Sequence, residues 1–185
     1  MTREEGLKIL KENLFNQNLI KHSLAVEAIM RALAEHFGQD QEKWGLAGLL
    51  HDIDYEKTKD NPQEHSLRGA KILEELGVEK EICQAIKVHN KTHGILPETL
   101  MEKALFVADP LTGLIVAATL VLPSRRITDL TGENVLNRFK EKAFARGANR
   151  EIIKQCEWLL GLKLEEFVEI ALKAMQGIAK EIGLN

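Results

Sequence analysis

Apolar residues along this chain recur at intervals of three and four, and strand-like alternation is nearly absent, so the pattern predicts an all-α protein. Residues 3 to 15 read as a first amphipathic helix with Leu7, Leu10, Leu14 and Phe15 facing inward. Asn16 or Asn18 can cap a second helix, which carries His22, Val26, Ile29, Leu33 and His36 on one stripe and ends at Gly38. A third helix, 42 to 52, ends in His51-Asp52. A polar loop follows. Asn61-Pro62-Gln63-Glu64 then signals a new helix, with Asn as cap, Pro at the first position and Glu at the third. That helix turns Leu67, Ala70, Leu73 and Leu76 inward and closes at Gly77. Residues 79 to 91 form the next, with Ile82, Ala85, Ile86 and His89 on one face.

Pro97 opens a helix through Leu100, Ala104, Leu105 and Ala108 to Asp109, where Pro110 predicts a kink or a stop. Asp109-Pro110 is also a good cap pair for the apolar helix Leu111 to Leu122, so cap and ligand readings of Asp109 stand side by side. Helices over 133–146, 149–160 and 164–182 complete the chain. The expectation is one domain, 1–185, with its functional core at about 18–122. Residues 123–185 carry no ligand-like constellation and are expected to complete the helical wall.

Composition narrows the picture. The chain has 185 residues, 44% hydrophobic and 29% charged, which is a soluble globular profile. A net charge of -3 offers no bulk basic field, so no nucleic-acid partner is expected. No apolar run approaches the ~20 residues that span a bilayer. The opening Met-Thr-Arg-Glu-Glu has no apolar targeting segment, so a cytoplasmic location without a membrane partner is expected. Cys83 and Cys156 sit among apolar residues at helical spacing and read as buried free thiols of a reducing compartment. Nothing in the pattern sets the oligomeric state.

The candidate chemistry centres on Leu49-Leu50-His51-Asp52-Ile53-Asp54. His51 and Asp52 end an apolar run, and both are costly to bury unless paired or metal-bound. Neighbours on a helix point about 100° apart, so the two converge on one ion only with partners from other segments. His22, His65, His89 and Asp109 are the His and Asp residues on otherwise apolar helical faces. Singly, each histidine reads first as a core residue bonded to a backbone carbonyl. Together with His51 and Asp52 they form a ligand set. His36 lies about 21 Å along the helix from His22 and cannot share its ion. His93, beside Gly94 and Pro97, reads as a solvated loop residue ahead of a ligand.

Nitrogen and oxygen donors of this kind suit Fe, Mn, Co or Zn and leave positions open for water and substrate. An open ion lowers the pKa of its water and polarises a phosphoryl oxygen. One or two ions are expected: a second would rest on His65 and His89, with Asp52 bridging, and with one ion alone these two histidines would contact the phosphate. Asp52 and Asp54 are the candidate catalytic carboxylates, Asp54 assisting proton transfer. Lys57, Arg68 and Lys91, with Arg125 and Arg126, are candidates for neutralising phosphate.

The order His22, His51-Asp52, Asp109 resembles the HD superfamily of metal-dependent phosphohydrolases. The lead-in Ala47-Gly48-Leu49-Leu50 and the pair Ala108-Asp109 fit the same resemblance, which covers roughly residues 18 to 122. It implies an all-α helical bundle with a metal at its centre. It also implies hydrolysis of a phosphate ester or anhydride by metal-bound hydroxide, on a small phosphorylated metabolite such as a nucleotide. His65, in His-Ser-Leu-Arg-Gly-Ala, and His89, in Ala-Ile-Lys-Val-His, look like the two extra histidines of a dinuclear branch. This is similar to the bacterial diadenosine tetraphosphate hydrolases of the HD class, which are linked to iron. Cyclic-di-GMP phosphodiesterases carry a Gly-Tyr-Pro signature where this chain has Gly94-Ile95-Leu96-Pro97, so that activity is not assigned. The alternative from a different class is a non-catalytic metal-binding sensor or docking module of the same fold.

Overall fold

The computed structural model describes residues 1–185 and contains helices and turns without a strand, as the periodicity predicts. The helices are α1 (Arg3–Asn13), α2 (Gln17–His36), α3 (Gln41–Leu50), α4 (Tyr55–Thr58), α5 (Leu67–Glu75) and α6 (Lys80–His89). They continue with α7 (Leu100–Leu120), α8 (Gly132–Lys140), α9 (Arg150–Lys154), α10 (Cys156–Leu159), α11 (Leu164–Gly177) and α12 (Ala179–Ile182). Short 3-10 turns cover Lys91–His93 and Ile127–Asp129. Local chemistry starts several of these helices. Thr2 and Glu5 form a capping box for α1, the Asn16 side chain accepts from Asn18 N–H at α2, and Asp40 accepts from Glu42 and Lys43 N–H at α3.

Two approaches position the site. The first is α2 against α3. A Cβ added at Gly48 would sit 2.8 Å from the carbonyl oxygen of Val26 and 2.9 Å from Cα and N of Glu27. Only a residue without a side chain lets these backbones come so close, and that approach brings the end of α3, with His51, beside His22 on α2. The second is α7, which packs on α2, α3 and α6 on one side and on α8 to α11 on the other. Leu105, Ala108, Leu111, Leu114 and Ile115 of this helix are fully buried. Contrary to the expectation from apolar run length, α7 is long and apolar enough to cross a membrane. Here its apolar surface goes into the core, each buried Leu or Ile contributing about 2 kcal/mol relative to exposure. One continuous apolar cluster extends from Leu10 to Leu184. Cys83 and Cys156 are buried free thiols.

The structure departs from the sequence pattern at several boundaries. Helix α1 stops at Asn13, and the Glu56 carboxylate takes the N–H groups of Phe15 and Asn16 at 2.8 Å each. That turn throws Phe15 outward, 74% exposed, where the pattern had it inward. His36 is exposed at the end of α2. Asn61-Pro62 starts no helix. Residues 62–66 stay in turns and α5 begins at Leu67, because its cap comes from Asp54, far back in the chain. Pro110 neither stops α7 nor turns Asp109 into a cap, since the helix runs unbroken from Leu100 to Leu120. The helix expected over 133–146 ends at Lys140, that over 149–160 breaks at Gln155, and that over 164–182 breaks at Ile178.

Candidate metal centre

Six of the sequence-predicted residues converge. His22 comes from the first turns of α2, His51 and Asp52 from the end of α3, His65 from the turn before α5, His89 from the end of α6 and Asp109 from the middle of α7. The Asp52 carboxylate lies at the centre and divides in two. Its Oδ2 is 3.4 Å from His51 Nε2 and 3.8 Å from His22 Nε2, while its Oδ1 is 3.3 Å from His65 Nε2 and 3.5 Å from His89 Nε2. Asp109 Oδ1 closes the first group, 3.0 Å from His22 Nε2 and 3.7 Å from His51 Nε2. The rings of His22, His51, His89 and His65 follow one another edge to face with centroids 5.1 Å apart. His22, His51 and Asp109 form one potential metal-holding trio, and His51, Asp52 and His89 another.

Each imidazole is oriented from behind. His51 Nδ1 lies 2.8 Å from the Gly48 carbonyl and His89 Nδ1 2.6 Å from the Ile86 carbonyl, so each Nδ1–H donates to a backbone oxygen. His65 Nδ1–H donates to Asp54 Oδ1 at 2.9 Å. The Thr112 hydroxyl gives its proton to the Asp109 carbonyl at 2.7 Å, and its lone pair then accepts from His22 Nδ1–H at 3.0 Å. With the proton held on Nδ1, all four rings present an Nε2 lone pair to the centre, the tautomer a metal requires. His51 Nε2 is fully buried without a hydrogen-bond partner. A buried polar atom left in this way carries a penalty of about 1–3 kcal/mol. A divalent ion at that point removes the penalty, and the mixed imidazole and carboxylate donors suit one.

Without an ion the cluster favours protons on His51 and His65. Burial opposes charge on His51, but Asp52 and Asp109 outweigh it and hold its pKa well above the ordinary imidazole value. Burial likewise opposes charge on His65, and Asp52 and Asp54 carry it up to about 9. Desolvation of Asp52 and Asp109 is overcome by the facing histidines, which hold both carboxyls well below their usual range.

Asp54 stands behind the centre. It is fully buried, and besides His65 its carboxylate takes the N–H groups of Ser66 at 2.9 Å and Gly69 at 2.8 Å. It therefore caps α5 and aims His65, and its oxygens face no open space where substrate protons would be. Ser66 adopts a left-handed φ of 70°, held by the Asp54 bond and by its hydroxyl on the Lys87 carbonyl at 3.0 Å. His93 is not among the converging side chains. Its Nε2 lies 2.7 Å from the His65 carbonyl, so it steadies the backbone that carries His65.

A cleft of about 630 Å³ opens onto His22, His65, His89 and Asp109. Its far wall is the loop after α8, with Lys142, Arg146 and Arg150, so residues past 123 do more than complete a helical wall. Of the phosphate candidates, only Lys91 lines this cleft. Lys57 donates to Asn13 Oδ1, Arg68 is exposed beside Glu64, Arg126 pairs with Asp129, and exposed Arg125 also lies off the cleft. Sequence reasoning missed Thr112, Lys142, Arg146 and Arg150. Thr112 was traceable as the residue one helical turn past Asp109. The loop was traceable as a local charge excess, five basic residues against one acidic between Arg138 and Arg150.

Comparison with known proteins adds the following. The HD domain family matches residues 19–114. The chain is similar to Ribonuclease Y of Nitratidesulfovibrio vulgaris, 34% identical over 143 residues, covering 75% of this chain and 27% of that protein. It is similar to Ribonuclease Y of Lawsonia intracellularis, 31% identical over 141 residues with the same shares. It is also similar to an uncharacterized protein of Methanocaldococcus jannaschii, 35% identical over 130 residues, covering 60% of this chain and 75% of that protein. The chain thus spans 27% of the length of these Ribonuclease Y relatives. No solved structure matches it significantly. With ribonucleases among its relatives, the expectation that nucleic acid is excluded as a partner has no support.

Proposed function

The chain belongs to the HD-domain family, and on that footing we propose that it is a metal-dependent phosphohydrolase cleaving a phosphate ester or anhydride bond of a nucleotide, free or within RNA. The observation that carries this reading is the set of four imidazoles locked with Nε2 inward around a shared carboxylate, one Nε2 buried without a partner. His22, His51, Asp109 and Asp52 Oδ2 would hold one ion. His65, His89 and Asp52 Oδ1 would hold a second, with Asp52 between them. Divalent ions there supply an acidified water and an electrophile for a phosphoryl oxygen. The chain's own residues do the rest. Thr112, the Gly48 and Ile86 carbonyls and Asp54 fix the imidazoles, and Asp52 keeps the two halves of the site in register. The relatives named Ribonuclease Y favour a ribonucleotide phosphodiester as the bond cleaved.

The test begins with protein purified without oxygen or chelator. Its content of Fe, Mn, Co and Zn is measured, followed by turnover of a nucleotide and oligoribonucleotide panel. The reading expects bound metal, turnover abolished by chelator and restored by metal, and loss of both metal and turnover in His51→Ala. Metal without turnover on any substrate would favour the non-catalytic sensor. Absence of metal after adding all four ions back would overturn the proposal.

A further inference from the structure

The loop between α8 and α9 concentrates positive charge, at Lys142 and Arg146, that no carboxylate offsets. Arg150 lies beneath it and donates to the carbonyls of Arg138, Phe139, Glu141, Phe144, Ala145 and Ala148. One guanidinium thus gathers a whole turn of backbone, including Ala145 at a left-handed φ of 44°. All its partners are neutral carbonyls, so no carboxylate cancels its charge. The loop is therefore a fixed platform with a positive charge under it. From this platform Lys142 and Arg146 reach the cleft, exposed and without an ion pair, in a chain where Arg3, Arg31, Arg68, Arg126 and Arg138 all have carboxylate partners. Lys91 lines the same cleft, also exposed and unpaired. Asp109 is the one carboxylate residue lining the cleft, and it faces His22 and His51. A net charge of -3 for the whole chain hides this local excess.

We infer that Lys91, Lys142 and Arg146 form a second anion subsite that takes a phosphate group beyond the one at the metal centre, so that the protein selects substrates carrying at least two phosphates. This rests on the phosphohydrolase reading for what occupies the centre, while the subsite itself stands on the geometry of the loop. Lys142 and Arg146 lie outside the matched residues 19–114, so the C-terminal part of the chain supplies two of the three cations and Lys91 the third. The second phosphate has two possible sources, a polyphosphate chain or the next nucleotide of a strand.

Two measurements test it. The first is an NMR titration of chelated, non-reacting protein with inorganic pyrophosphate. Saturable shifts are expected at Lys91 and across 138–150, and their loss in Lys142→Ala/Arg146→Ala. Shifts confined elsewhere, or none, would overturn the inference. The second compares metal-loaded wild type with that double variant on three probes. These are the p-nitrophenyl ester of thymidine 5′-phosphate, which has one phosphate, adenosine diphosphate, and a 5′-phosphorylated adenylate dinucleotide. The preference for a two-phosphate probe over the one-phosphate probe, read in KM, should fall about tenfold in the double variant. Which of the two probes shows the fall identifies the source. Lys163→Ala/Lys173→Ala removes the same charge away from the cleft, and an equal fall there would mean a bulk charge effect and overturn the subsite. If no probe turns over although metal is bound, the phosphohydrolase reading fails, and the titration still decides the subsite.

Discussion

The chemistry of the centre is set by the ring nitrogens that face away from it. Asp54 shows this best, because one buried carboxylate both aims His65 and caps α5. In Asp54→Asn one end of the side chain becomes an N–H donor facing other donors. The expected result is a loss of about 1–3 kcal/mol in thermal unfolding, with metal affinity at the His65 half about 10- to 100-fold weaker. Metal counts per chain should fall toward the first group alone, and unchanged counts and Tm would contradict this role. The His65 proton gives a pH test. Its folded pKa, carried up to about 9 from an ordinary 6.5, means that at pH 7.5 the chelated centre holds a proton that a metal must displace. Calorimetry in buffers of different ionisation enthalpy should therefore show proton release on loading, with affinity rising as pH approaches 9. The sign for stability is fixed as well. A raised folded pKa stabilises below 6.5 and loses that contribution as pH climbs through about 9. Chelated protein should then lose Tm across this window more steeply than loaded protein.

Two helix contacts hold these residues in place; a missing atom makes the first possible and is tolerated in the second. At the α2–α3 contact the missing atom is the Cβ of Gly48. Gly48→Ala places a methyl 2.8–2.9 Å from backbone atoms of Val26 and Glu27, which cannot swing aside as a side chain would. Overpacking of this kind costs about 1–3 kcal/mol, more than the gain in helix propensity of up to about 1 kcal/mol. Tm should drop, and metal content should drop with it because His51 moves relative to His22; a rise in Tm would refute the close-contact argument. In α7 the missing atom is the amide hydrogen of Pro110, which leaves the Phe106 carbonyl without its helical partner. The helix continues because tertiary packing on both sides outweighs that loss, and Asp109 keeps its carboxylate free to face His22 and His51.

In the whole molecule, the His/Asp cluster and the basic loop after α8 come from different parts of the chain and meet at one cleft. Arg150 is the link to test. In Arg150→Lys a single ammonium replaces a planar fork that reaches six carbonyls. The loop should open to limited proteolysis and stability should fall by on the order of 2 kcal/mol. Metal content should stay the same, since no candidate ligand lies on α8 or α9; a protected loop would contradict the staple. The same division explains what was legible. The all-α class and the six converging residues could be read from period and residue type, because a histidine or aspartate on an apolar helical face is anomalous wherever it occurs. The orientation of those residues could not. Asp54 capping α5 in place of Asn61, Thr112 relaying to His22 and Pro110 carried inside α7 are long-range hydrogen bonds and packing, which leave no periodic trace. The basic loop was visible as composition, but its place on the cleft of the His/Asp cluster came from the fold, which brings Arg146 and Asp109 to one lining. Residue chemistry names the groups able to react, and only the folded chain chooses which of them share a space, because convergence depends on contacts between segments far apart in sequence.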